Sequence, residues 1–172
     1  SGASTIEEVK NSIKIIQQFN SKIILLQCNT NYTADLENLK YINLNVLKTY
    51  KKIFPEVILG LSDHTLGNVT VLGAIALGAK VIEKHFTDDN KRNGPDHYFS
   101  MNPNSWKEMI KRTRELEDAL GYEKKIIEQN EQESVVLQRR CIRLNRKLFK
   151  GSIISIKDLD YLRPAPKNSL SP

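Results

Sequence analysis

Val57-Ile58-Leu59-Gly60-Leu61-Ser62-Asp63-His64-Thr65 and Ala79-Lys80-Val81-Ile82-Glu83-Lys84-His85-Phe86-Thr87 are the two stretches on which the fold turns. Each opens as a short apolar run and closes in polar residues around a histidine, His64 in one and His85 in the other. Apolar runs this short, rich in Val, Ile and Leu, predict buried strands. Val69 to Leu77, between them, predicts a helix. Strand, helix and strand make a βαβ unit whose strands are expected to be parallel neighbours. Adjacent strands lie roughly 4.8 Å apart. Two imidazoles at matched heights on them can share one divalent cation.

Outward from this unit the same alternation continues. Thr5 to Phe19 carries Ile6, Val9, Ile13, Ile16 and Phe19 at a helical period, with Ser4 or Thr5 as cap and Glu7 and Glu8 in the first turn. Lys22 to Cys28 predicts a strand. Leu36 to Phe54 predicts one helix through Leu39, Ile42, Val46, Leu47 and Tyr50, capped by Asp35 and stopped by Pro55. Gly78 ends the small-residue helix after Asn68, and Lys80 to His85 is the next strand. Past Gly94-Pro95, Pro103 opens a helix carrying Trp106, Ile110, Thr113, Leu116 and Leu120, closed by Gly121. Strict alternation with nearly continuous apolar strands predicts α/β with a parallel sheet. Polar residues cluster after strand ends, where a (β/α)8 barrel places its site. A doubly wound sheet is the alternative, but no Gly-rich phosphate turn accompanies it.

After Gly121 the pattern changes. Tyr122 to Ser134 is polar, with Glu123, Lys124, Lys125, Glu128, Glu131 and Glu133, and reads as a surface linker. Ser134 to Leu144, Ile153-Ile154-Ser155 and Tyr161-Leu162 predict short β pieces around Lys150-Gly151, the start of a small β-rich module.

Composition narrows the function classes. The chain has 172 residues, 40% hydrophobic and 27% charged, which is ordinary globular composition. No apolar run reaches the roughly 18 residues of a membrane span. Ser1-Gly2-Ala3-Ser4 shows neither the basic nor the apolar part of a signal peptide and lacks an initiator Met, so a processed or excised chain is expected. The net charge of +6 is spread through helices and aromatics are only 7%, so no nucleic-acid partner is expected. Arg139-Arg140 with Arg143, Arg146 and Lys147 reads as a solvated surface. Cys28 and Cys141 lack metal spacing and read as reduced thiols of a cytoplasmic protein.

Side chains alternate faces along a strand, so Ser62 shares a face with His64, and Glu83 with His85. Four polar groups then converge at a barrel mouth. Neutral imidazoles suit Mn²⁺, Fe²⁺ or Zn²⁺, and Asp63 and Glu83 are candidates to orient them or to ligate. Asp96, beside the Gly94-Pro95 turn, is a carboxylate held over the mouth, and His97 reads equally well as an exposed loop residue. Thr30 and Tyr32, just after the first strand, are candidates to hydrogen-bond a polyhydroxylated ligand, although turns also favour such residues. Trp106 reads as core.

These stretches resemble the sialic acid (nonulosonate) synthases. The match is carried by Gly60 to Gly67, Ala74 to Ala79, Ile82-Glu83-Lys84-His85-Phe86-Thr87, and Gly94-Pro95-Asp96-His97 with Phe99-Ser100. Ser1 to Thr5 resembles the element after the family's fifth barrel strand, and Arg163-Pro164 and Ser171-Pro172 resemble its antifreeze-like (SAF) domain. The resemblance implies the C-terminal half of a (β/α)8 TIM barrel over residues 1–121, a linker over 122–134 and a partial, β-rich antifreeze-like domain over 135–172.

For activity, the resemblance implies condensation of phosphoenolpyruvate with an N-acetylated hexosamine and release of phosphate. The sugar is N-acetylmannosamine or a diacetamido relative. His64, His85 and Glu83 become the implied catalytic residues. His64 and His85 hold a divalent cation, Mn²⁺ first, with Mg²⁺, Co²⁺ or Fe²⁺ as alternatives. Thr30, Tyr32, Ser62, Asp96 and Arg163 take substrate-contacting roles, Arg163 being lent across a domain-swapped homodimer. Thr30, Thr33, Cys141 and Ala165-Pro166-Lys167 depart from the family's usual residues. The family's early strands, with their phosphoenolpyruvate lysines, have no counterpart here, so the chain alone is expected to be inactive. Two further readings compete: a non-catalytic sugar-binding or assembly module of the same descent, and a different metal-dependent aldolase using pyruvate.

Overall fold

The computed structural model describes residues 1–32 and 35–172. Thr33, one of the departures noted above, lies outside the described residues. The chain divides into two compact units, residues 1–121 and 122–172.

The first unit alternates helix and strand: α1 (Ile6–Ile16), β1 (Ile24–Cys28), a 3-10 helix (Leu36–Tyr41), α2 (Val46–Ile53), β2 (Ile58–Asp63), α3 (Val69–Ala76), β3 (Val81–Lys84) and α4 (Pro103–Leu120). The strands form one parallel sheet in the order β1-β2-β3. Local chemistry sets the helix ends. Thr5 Oγ1 accepts from the Glu8 amide while the Glu8 carboxylate accepts from the Thr5 amide, closing a capping box on α1. Asn102 and Ser105 do the same for α4, with Pro103 in its first turn. Gly78 (φ +96°) takes the left-handed backbone that ends α3.

Strand alternation gives the sheet two unlike faces. Leu25, Leu59 and Leu61 point to the helices and join Val9, Ile13, Leu47, Val71, Ala74 and Met109 in one core. On the opposite face Ile24 and Ile58 are about half exposed, at 52% and 47%. Cys28, Ser62 and Glu83 stand at the other end of that same open face, in register across the sheet.

Two expectations need correction in this unit. The helix expected over Leu36 to Phe54 is broken into the 3-10 helix and α2. Asn29 Nδ2 takes the carbonyl of Tyr41, Gln27 Nε2 takes that of Ile42, and Asn43 turns to φ +51°, so the hydrogen-bond ladder cannot run through. The α4 stripe is also displaced. Met109 is its buried anchor, Trp106 and Leu116 pack partly buried, and Ile110 and Leu120 remain exposed.

In the second unit the β-like stretch expected from Ser134 begins as helix. A 3-10 turn (Gln129–Glu131) leads into α5 (Gln132–Gln138), and only then do β4 (Cys141–Leu144) and β5 (Leu159–Leu162) pair antiparallel. A Glu128–Glu131 capping contact starts the turn. Ile153-Ile154-Ser155 forms no strand, and Ile153 is exposed. Two arginines of the expected solvated cluster make internal bonds: Arg143 donates to the Pro164 carbonyl (2.7 Å), and Arg146 Nε to Asp158 Oδ1 (2.6 Å). Asp158 also accepts from the amide and hydroxyl of Ser155. The bond from Arg146, and then that from the Ser155 amide, hold its carboxyl down at about 2.

Two outcomes follow from this packing. A Cβ on Gly60 would lie 2.4 Å from the Val81 carbonyl oxygen and 2.3 Å from Leu26 Cδ2. Gly60→Ala must therefore push β3 away, and a loss of about 1–3 kcal/mol is expected in urea unfolding. Asp158 has a depressed carboxyl, so its contribution is complete above the ordinary value of 3.8 and lost as pH falls through about 2. Amide signals of β4 and β5, followed by NMR during acid titration, are expected to weaken over that window, and Asp158→Asn to remove the dependence.

Candidate functional site

The ends of the three parallel strands converge on one polar cluster. The register pairs Cys28 with Ser62 and Ser62 with Glu83, and Ser62 Oγ donates to Glu83 Oε1 at 2.7 Å. Two residues further along each strand, His64 and His85 face one another, ring centroids 5.0 Å apart and planes nearly perpendicular. His64 is buried, and its Nδ1 lies 3.0 Å from the Asn29 carbonyl oxygen. A carbonyl only accepts, so Nδ1 carries the proton and Nε2 keeps its lone pair. His85 stacks on Phe99 at 5.4 Å, and its Nδ1 is 3.8 Å from Asp96 Oδ2, beyond hydrogen-bond range. Tyr32 covers both rings, 4.2 Å from His64 and 5.5 Å from His85.

Thr30 is exposed, with its methyl beside Gly2. Arg163 is exposed in the second unit, directly after β5. A cleft of about 600 Å³ is lined by Ser1, Thr5, Cys28, Asn29 and Tyr50 among others and includes neither histidine. The histidine pair sits instead on the open sheet face.

Asp96 is carried by a loop with its own scaffold. Asn90 Nδ2 donates to the carbonyls of His97 (2.7 Å) and Ser100 (2.8 Å), while its Oδ1 accepts from Asn102 Nδ2 (2.7 Å). The Met101 amide donates to the His85 carbonyl, and the Thr87 amide to that of Met101, so this loop extends the sheet beside β3. His97 is half-buried, its Nδ1 2.8 Å from Thr87 Oγ1, with Gly94 pressed against the ring.

Asp63 does not meet the imidazoles, which corrects the orienting or ligating role expected of it. It points to the helix side of the sheet, fully buried, and pairs with Lys84 Nζ, Thr65 Oγ1 and Thr70 Oγ1. Alternation puts neighbours on opposite faces, so the residue before a site histidine must point away. Lys84 and Asn90 escaped the sequence reading. A lysine on the core face of a strand was itself a signal, because a buried ammonium needs a partner.

The donor set matches a divalent cation. An imidazole nitrogen binds a first-row ion at about 2.1 Å, which sets two rings on adjacent coordination positions about 4.5–5 Å apart. The His64 Nδ1–H bond to a backbone carbonyl is the usual support of a ligating histidine. Among the described residues no group of three or more His, Cys, Asp or Glu is gathered for a metal, so the two histidines do not by themselves complete a coordination shell.

The chain has relatives among known proteins. Residues 1–125 match the model of the NeuB family. An uncharacterized protein of Methanocaldococcus jannaschii is 40% identical over 164 residues, covering 95% of this chain and 48% of that protein. The N,N'-diacetyllegionaminic acid synthase of Legionella pneumophila is 38% identical over 168 residues, covering 95% and 46%. The crystal structure of the N-acetylneuraminic acid (sialic acid) synthetase of Leptospira borgpetersenii, in complex with citrate, superposes with a TM-score of 0.68 at 30% identity, over 78% of this chain and 46% of that one. The chain belongs to the NeuB family, the nonulosonate synthases. It spans about half the length of the curated relatives it matches.

The loop scaffold is directly testable. Asn90→Ala strands two carbonyls, and a loss of about 1–3 kcal/mol is expected. Amide hydrogen exchange should quicken over residues 94–101 while β1 and β2 keep their protection.

Proposed function

We propose that this chain carries the cation- and sugar-binding half of a nonulosonic acid synthase, a transferase condensing phosphoenolpyruvate with an N-acetylated hexosamine. The facing pair His64 and His85, beside the Ser62–Glu83 contact, is the observation that carries this reading. The named activities of the Legionella and Leptospira relatives support it. Residues 1–121 serve as the C-terminal half of a (β/α)8 barrel, with 122–134 as the connection and 135–172 as part of an antifreeze-like (SAF) domain. The exposed face bearing Ile24 and Ile58 becomes barrel interior once the other half covers it. The chain alone is therefore inactive.

A divalent cation at His64 and His85 supplies Lewis acidity toward the aldehyde of the open-chain sugar; Mn²⁺ is the first choice, with Mg²⁺, Co²⁺ and Fe²⁺ as alternatives. His64, with Nδ1–H committed to Asn29, presents Nε2. Phe99 holds the His85 ring. Asp96 and Thr30 bind sugar hydroxyls, and Tyr32 gives the sugar an aromatic face. C3 of phosphoenolpyruvate bonds to the aldehyde carbon, water bonds to C2, and the C2–O bond breaks as phosphate leaves with its electron pair. Glu83, oriented by Ser62, accepts one proton of that water and returns it to the alkoxide formed from the aldehyde, while the second leaves with phosphate as C2 becomes a ketone. Arg163, lent from the partner in a domain-swapped homodimer, binds the acetamido carbonyl or the carboxylate. Phosphoenolpyruvate as co-substrate places the reaction in the cytoplasm. The sugar is N-acetylmannosamine or a diacetamido-trideoxyhexose.

Titration calorimetry with Mn²⁺ tests the cation, and phosphate release after reassembly with a relative's N-terminal half tests turnover. His64→Ala and His85→Ala are each expected to weaken Mn²⁺ binding at least about 10-fold and to abolish turnover. Unchanged affinity in both removes the ligand role. Sugar binding without turnover in the reassembled protein selects the non-catalytic module, and consumption of pyruvate selects the aldolase.

A further inference from the structure

We propose that the buried Asp63–Lys84 pair is the positioning device that sets His64 opposite His85; as a device for a cation site, it rests on the reading above. The argument starts from where backbone pairing stops. The β2–β3 ladder ends at the pair Asp63 and Lys84, so both histidines lie one residue beyond the last registered position. Past that point the main chain no longer fixes their relative height.

Side chains on the other face take over. Lys84 Nζ donates to Asp63 Oδ2 and also to the Thr65 carbonyl, at 2.7 Å. One ammonium thus grips the chain on both sides of His64 while standing next to His85. Thr65 and Thr70 hold the Asp63 carboxylate from the loop and from α3, at 2.9 and 2.7 Å. Only 0% of the Asp63 side chain and 2% of that of Lys84 are exposed, so water does not compete for these bonds. Charge within the pair is balanced, and every buried side-chain donor and acceptor among the described residues is satisfied. A net-neutral, fully bonded tie serves position better than chemistry, since neither group is left to react. Strand alternation sends its effect through the sheet: what clamps one face aligns the side chains on the other.

The test uses the whole 172-residue chain and Mn²⁺ as the probe. Asp63→Asn combined with Lys84→Met removes the tie without leaving a buried charge, and Leu47→Ala, a core residue of α2 that makes no bond to the pair, serves as a control for lost stability. Two readouts are followed. One, free of metal, is the ring Nδ1–H of His64, protected by the Asn29 carbonyl and visible by NMR. The other is the Mn²⁺ dissociation constant from the EPR signal of free ion. The double variant is expected to lose the protected ring N–H and to bind Mn²⁺ about 10-fold more weakly or worse, whereas Leu47→Ala keeps both. A folded double variant with either readout unchanged overturns the proposal. Should that variant fail to fold, Thr70→Val, which removes one hydroxyl donor, is read the same way, and an unchanged Mn²⁺ constant overturns it. A wild-type chain that binds no Mn²⁺ sinks the cation reading instead, and the ring N–H then decides the positioning role by itself.

Discussion

The parallel pairing of β2 with β3 is the constraint on which the rest depends. Its register sets Ser62 against Glu83 and delivers His64 and His85, one residue past its last pair, to the same face of the sheet. A slip of one residue would turn each imidazole to the helix side and bring Asp63 and Lys84 to the open face. The core enforces the observed choice, because Leu59 and Leu61 must face α2, α3 and the rest of the apolar cluster. Burial of these leucines against the helices and placement of the histidine pair on the other face are two consequences of one alternation.

The same economy organises the surroundings. Each strand spends its first residues on packing and its last on chemistry. Loops after the strands then supply what strands cannot. Asn29 offers a carbonyl to His64, and the segment around Asn90 brings Phe99 and Asp96 to His85. The His85 side is the more open one, since its support comes from a loop edge and not from a fourth full strand.

Much of this was legible in the chain itself. Apolar runs ending in Ser62-Asp63-His64 and Glu83-Lys84-His85 predicted neighbouring strands, and period-2 alternation predicted which side chains share a face. What escaped was non-local. The break near Asn43 depends on Gln27 and Asn29 reaching over from β1, which no local propensity encodes. The role of Asn90 depends on three partners 7 to 12 residues away in a loop without periodicity. Asp63 is adjacent to His64 in sequence but not in space, because strand geometry sends the two side chains to opposite faces. In the second unit β-branched Val135 and Val136 suggested strand, while the acidic, helix-favouring residues before them began a helix.

Electron spin-echo spectroscopy of the Mn²⁺-loaded chain, with histidine labelled by ¹⁵N, measures the central claim most directly. The account predicts coupling to two imidazole nitrogens, one of which disappears in each single-histidine variant. Coupling to one nitrogen or none in the unaltered chain would contradict it.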